Sequence, residues 1–256
     1  MKNQTYCIVA VFLFVLASCS PRFYTPNVIV TPTFKKAGDI YFNANYNFIN
    51  KGSTTFGYAF TNHFGAYANL AINLENHLSY SPLDVGSTDS KGGYLSLGLG
   101  YLRPPTIKNK KGLECFGEMA SGLYDILQYT SVNYSPYLPD TNRLSSMVGR
   151  FNRYAIVLNL NETMNKLTLI NSFRLSAVHF YRNVAEKDLE YLIEKINHRK
   201  IYPTVEYGLS MFYGKNKLKL MAHYNVFISL NSKSETGPLQ AANVSLSLGF
   251  VYKLHR

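Results

Sequence analysis

Glu114 and Glu118 stand four residues apart, and further along come Arg153, Arg174, Glu206 and His223, each beside mainly apolar neighbours. In an extended strand, side chains at i, i+2 and i+4 project from one face, so the two glutamates share a face. Acids and cations presented this way by neighbouring strands do one of two things. They pair as a structural network that fills an interior, or they poise charge around a solute or substrate. The pairing role is the expected one for Glu114, Glu118, Arg153, Arg174, Glu206 and His223, with Lys217 and Lys219 on the same polar side.

A second set of reactive types lies between the periodic segments: His77, Asp84, Asp89, Asp125, Asp140 and His179. Asp and His at the rim of a fold can activate water for hydrolysis of lipid or peptide. Nothing in their spacing joins them. The chain has no G-x-S-x-G elbow, no H-E-x-x-H, no C-x-x-C and no phosphate loop, so these residues read as solvated turn positions. No cofactor and no metal is expected, and an enzyme is the third reading.

Cys19 carries a different chemistry. It follows Leu16-Ala17-Ser18 at the end of an apolar run from Ile8, too short to span a bilayer and preceded by Lys2. A cysteine directly after small residues is what a lipoprotein signal peptidase requires, so residues 1–18 read as a signal peptide and Cys19 as a lipidated, outer-membrane-targeted N-terminus. Cys7 leaves with the signal, and Cys115 then remains as a lone thiol. The 26 Lys and Arg against 15 Asp and Glu make the chain strongly basic, and loss of the signal removes only Lys2 from that balance. Anionic lipid, including anionic glycolipid, suits such a surface. Nucleic acid does not, because the chain is exported and has no clustered basic run with stacking aromatics.

The elements that position these groups are strands. Period-two alternation runs along nearly the whole chain after residue 38: Ile40, Phe42, Ala44, Tyr46 and Phe48 against Tyr41, Asn43, Asn45 and Asn47 is the clearest case. The same pattern recurs through Phe56–Phe60, Ala66–Leu74, Leu95–Tyr101, Leu113–Leu123, Tyr154–Leu160, Leu167–Leu175, Val205–Met211, Leu218–Ile228 and Val244–Leu254. Cys115 falls on the apolar side. These runs make about ten strands, within a range of roughly eight to twelve, and the one-sided apolar face excludes a parallel α/β core.

Connection lengths decide between a soluble and a membrane barrel. Tight turns at Asn62-His63, Asn161–Asn165 and Gly214–Asn216 alternate with long links at about 76–91, 125–148, 181–200 and 230–241. The first hairpin, at Asn50–Gly52, is the exception. Short turns on one rim and long loops on the other, with tyrosines toward strand ends, predict an antiparallel up-and-down transmembrane β-barrel with periplasmic termini. The division is then 1–18 signal, 19–37 periplasmic lead-in and 38–256 barrel. One short helix is predicted in an extracellular loop, capped by Asn183 with Glu186, and Leu189, Leu192, Ile193 and Ile196 form its apolar stripe. That stripe should pack on the rim. Small inward residues such as Gly57, Gly98, Gly100, Gly208 and Gly249 leave lumen space or let the barrel curve.

The last strand reads Ser247-x-Gly249-x-x-Tyr252-x-Leu254, which resembles the closing signal read by the barrel-assembly machinery, with His255 and Arg256 following. With Tyr24–Val28, Pro32 and Lys35–Asp39 in the lead-in, the chain resembles the small outer-membrane β-barrel proteins, lipoprotein type, of Bacteroidota-like bacteria. That resemblance implies the assembly machinery as a partner through Ser247, Gly249, Tyr252 and Leu254, and implies no activity. The resulting expectation is a structural or surface-binding barrel of unknown ligand, with a narrow pore for small solutes as the alternative.

Overall fold

The computed structural model describes residues 29, 32–47, 51–73, 86–105, 110–132, 141–164, 166–186, 190, 193–194, 201–214, 217–230 and 242–254. Ten antiparallel strands close on themselves: β1 (Ile40–Asn47), β2 (Lys51–Ala59), β3 (Phe64–Asn73), β4 (Gly86–Arg103), β5 (Lys111–Val132), β6 (Thr141–Met164), β7 (Leu167–Ala185), β8 (Ile201–Tyr213), β9 (Leu218–Ser229) and β10 (Ala242–Leu254). Each pairs with its neighbours in sequence, and β1 pairs with β10 from Ile40↔Leu254 to Asn47↔Ser247. Closure removes the unpaired edges that a bilayer does not tolerate.

Side-chain burial follows the alternation strand by strand. Asn43, Ser53, Thr55, Asn69, Ser96, Asn159, Ser172, Ser210, Asn225 and Ser247 are buried inside, whereas Phe56, Leu70, Leu97, Leu99, Ile156, Leu175 and Leu220 are exposed outside. A soluble protein buries its large apolar side chains; here they form the exterior, which is the arrangement that hydrocarbon requires. On β4, β5 and β6 the outward positions carry no charge between Lys91, Asp125 and Arg150 at one end and Arg103, Lys111 and Glu162 at the other. That uncharged stretch is about ten residues per strand, the length that crosses a bilayer at the usual tilt. Tyr58, Phe60, Phe64, Tyr101, Tyr213 and Tyr252 are exposed toward the short-turn end, with Phe64 edge-on to Tyr101 at 5.9 Å. They make one aromatic girdle.

The links predicted at 76–91, 125–148 and 181–200 are in part strand. β4 begins at Gly86, β5 runs to Val132, β6 begins at Thr141 and β7 continues to Ala185. β6 has 24 residues, roughly 80 Å of extended chain, against an apolar band about 25 Å tall. These four strands therefore rise well beyond the band on the long-hairpin side. Lys51 and Gly52, expected in the first turn, belong to β2. Of the predicted loop helix, Glu190, Ile193 and Glu194 are helical.

Candidate functional site in the barrel interior

Inward positions stack in levels, and β6, β7 and β8 share one order. From the short-turn end, β6 presents Asn161, Asn159, Val157, Ala155, Arg153 and Phe151; β7 presents Thr168, Ile170, Ser172, Arg174, Ser176 and Val178; β8 presents Phe212, Ser210, Gly208, Glu206, Thr204 and Tyr202. On each of the three, apolar residues lie on either side of the charge.

The middle level is ionic. Arg153 is paired with Glu118 through Nη2 and Oε1, Arg174 Nη1 lies 3.0 Å from Glu206 Oε2, and Arg174 Nε lies 3.8 Å from Glu118 Oε1. Tyr67 donates its hydroxyl to the second Glu118 oxygen at 2.5 Å, and the Arg153 guanidinium lies over the Tyr94 ring, 4.9 Å from its centroid. Two arginines and two glutamates thus balance in charge, as buried ions must. Two of the six predicted residues stand apart from this network. Glu114 accepts from the Asn159 and Asn161 amides at 3.2 and 3.3 Å, and His223 places Nδ1 2.7 Å from Ser210 Oγ.

The level at the short-turn end is closed by the chain itself. Ile29, Pro32, Thr33 and Phe34 of the lead-in are buried inside the barrel, where Ile29 and Phe34 join Tyr41, Ala59, Leu102, Phe116, Val157, Phe212 and Val251 in one apolar cluster. The lead-in was expected outside. It enters because the wall leaves room: a Cβ on Gly57 would come within 2.7 Å of the Pro32 ring and 3.0 Å of Phe34, so only glycine lets the segment lie against β2. A turn pins its outer end, with the Lys35 and Lys36 N–H groups donating to Asp39 Oδ2 at 2.7 and 3.2 Å and the Gly38 N–H donating to the Ala59 carbonyl at 2.8 Å. Lys253 donates to the Thr33 hydroxyl. The other small positions are likewise occupied, Gly98 by the Tyr67 ring and Gly208 by the His223 ring.

The level toward the long hairpins is aromatic. Phe180 packs against Tyr124, Phe151 and Tyr202, with centroids 5.6, 6.3 and 5.6 Å away. Ala71, Tyr94, Ala120, Met147, Val178 and Phe227 belong to the same cluster, and Ile193 of the loop helix packs against it; Leu189, Leu192 and Ile196 of the predicted stripe lie outside the described residues.

The other predicted residues fall as follows. Asp89, Asp125 and His179 sit in β4, β5 and β7, not in loops; the ring of His179 stacks on Tyr181 at 6.0 Å, separated from Asp125 by the whole of β6. His77, Asp84, Asp140 and Cys19 lie outside the described residues. Lys217, expected inside, is exposed at the short-turn rim, and Cys115 is exposed on the apolar face. Ser247 and Gly249 lie on β10 where it closes on β1, with Tyr252 exposed on the outer face. No group of three or more His, Cys, Asp or Glu able to hold a metal occurs among the described residues. Sequence reasoning missed Tyr67, Tyr94 and Lys253 as partners of charge. Their signal was a large or basic side chain on the polar phase of a strand whose other residues there are small.

No protein-family model and no curated protein matches the chain. Among solved structures it is similar to the outer membrane protease OmpT from Escherichia coli, at 9% identity over 85% of this chain and 94% of that one with a TM-score of 0.46. It is similar also to the translocator domain of autotransporter NalP from Neisseria meningitidis, at 12% identity over 84% and 86% with a TM-score of 0.45. A third is the KdgM porin, at 10% identity over 85% and 99% with a TM-score of 0.37.

Proposed function

We propose that this chain is an outer-membrane β-barrel lipoprotein, anchored by its strands and by an acylated Cys19, whose closed interior gives it a structural or surface-binding role and no solute traffic. The observation that carries this reading is the filling of the lumen at three successive levels: lead-in, ion pairs and aromatics. A pore lined by Arg153 and Glu118 needs those charges hydrated, whereas here they are buried and spent on one another. With conduction set aside, the part of the fold left to act is the set of β4–β7 strands that rise beyond the apolar band. Hairpins on a rigid wall are where such barrels present contact surface. Arg150 and Arg182 are exposed beyond the band, where headgroups of anionic glycolipid would lie. The outer edge of β10, with Tyr252 and Leu254, is the part the assembly machinery would read, and the short-turn rim with its lead-in would face the periplasm.

Intact mass of the purified protein together with planar-bilayer recording tests the proposal. An acylated mass at Cys19 and a silent bilayer are expected. Discrete conductance steps from the intact chain would replace this reading with the narrow pore, and loss of detergent dependence with no acyl mass would remove the membrane reading altogether.

A further inference from the structure

At the short-turn end a cavity of about 440 Å³ lies between the lead-in and the wall, and among the described residues four lysines line it: Lys35 from the lead-in, Lys217 just before β9, Lys219 in β9, and Lys253 from β10. The pairing of the last two strands gathers them. The Lys253 N–H donates to the Lys217 carbonyl at 2.9 Å and Val251 faces Lys219, so three of the four come to one corner. Lys35 and Lys217 are exposed at the lip, while Lys253 is buried at the floor, its ammonium 5.7 Å from the Tyr41 and Phe212 ring centroids.

Among the described residues, no acidic side chain lines this cavity. The two acids that act electrostatically on Lys253, Glu114 and Asp39, already accept from other donors: Glu114 from the Asn159 and Asn161 amides, Asp39 from the Lys35 and Lys36 backbone. Asn161 lies on the cavity wall, its side-chain amide nitrogen donating to Glu114 at 3.3 Å. Thr163 and Thr168 add hydroxyls.

Like charges gathered on a concave wall focus their field on an anion. Each ammonium brings three donors as a point charge, and that is how lysine holds phosphate. A carboxylate, with one charge and two oxygens, would leave part of this donor set unmet. The volume falls in the range of about 300–1,000 Å³ typical of small-molecule sites and exceeds the needs of a bare phosphate ion. We propose that the cavity binds a phosphate group carried on a larger organic body at the short-turn mouth of the barrel. The group could come from a phospholipid headgroup of the adjoining leaflet or from a soluble phosphate ester.

Titration calorimetry of the purified full-length protein in neutral detergent, with inorganic phosphate, glycerol 3-phosphate and acetate, tests this. Saturable binding of both phosphates but not acetate is expected, weakened about tenfold or more by Lys217→Gln with Lys219→Gln and in the same direction by Lys35→Gln. Lys166→Gln, an exposed lysine outside the cavity lining, should leave it unchanged. Absence of saturation, equal binding of acetate, or an equal loss from Lys166→Gln would overturn the site. In nanodiscs, weaker apparent glycerol 3-phosphate binding on adding phosphatidylglycerol would make the occupant a lipid headgroup; indifference to lipid would make it a soluble ester.

Discussion

Lys253 in the last strand donates its ammonium to the hydroxyl of Thr33 in the lead-in, joining residues 220 positions apart inside the barrel. The last strand to close the sheet therefore also helps to hold the plug. Lys253→Met keeps the length of the side chain and removes the donor, at an expected cost of about 1–3 kcal/mol. Proteolysis near the lead-in should quicken while the heat-dependent gel mobility of the barrel persists.

Glu118 is the acid on which both arginines converge. Glu118→Gln preserves shape but leaves Arg153 and Arg174 with Glu206 as their remaining acid in the network, and breaking a buried pair in this way costs about 3–5 kcal/mol. Glu206→Gln should cost less, since Arg174 keeps Glu118. Thermal unfolding in detergent, followed by loss of sheet signal, gives the ranking.

Gly98 lies under the Tyr67 ring, and a Cβ there would come within 2.3 Å of it, whereas one at Gly52 would meet nothing within 4 Å. Gly98→Ala must push aside the ring that donates to Glu118, so it should destabilise by about 1–3 kcal/mol. Gly52→Ala should be neutral or slightly stabilising. Equal melting temperatures for the two variants would refute this account of the interior.

Ile156 is 61% exposed within the uncharged outer band and Val184 is 70% exposed beyond it. In water the two positions would tolerate lysine equally. In a bilayer Ile156→Lys should cost about 2–4 kcal/mol and Val184→Lys almost nothing. Refolding equilibria into lipid vesicles measure the difference.

Truncation of residues 29–35 removes Ile29, Phe34 and the partner of Lys253 but leaves the wall pairing of β1 with β10 intact. Because the ionic and aromatic levels remain, the expected result is a folded, still non-conducting barrel of lower melting temperature. Conductance from this variant alone would identify the lead-in as the main barrier.

The sequence by itself determined the strands and, within them, which face most side chains take, Lys217 at the rim being an exception. Inside and outside are different solvents here, so selection acts on every second residue, and Glu114, Glu118, Arg153, Arg174, Glu206 and His223 could be placed on the inner phase with no partner in view. It did not reveal how far β4–β7 extend, because the apolar–polar alternation fades there: Gly86–Ser90 contains no apolar side chain and Thr141–Ser145 only Leu144.

Only the tertiary structure decided who pairs with whom across the lumen, and that the lead-in fills it. Ile29 and Phe34 belong to no periodic run; what draws them inside is the space left beside Gly57, Gly65 and Gly208, which exists only once ten strands have closed into a ring. The corner of four lysines has the same origin, since the register of β9 against β10 sets Lys253 beside Lys217 and Lys219, and the path of the lead-in adds Lys35, which the linear chain keeps about 180 positions or more away.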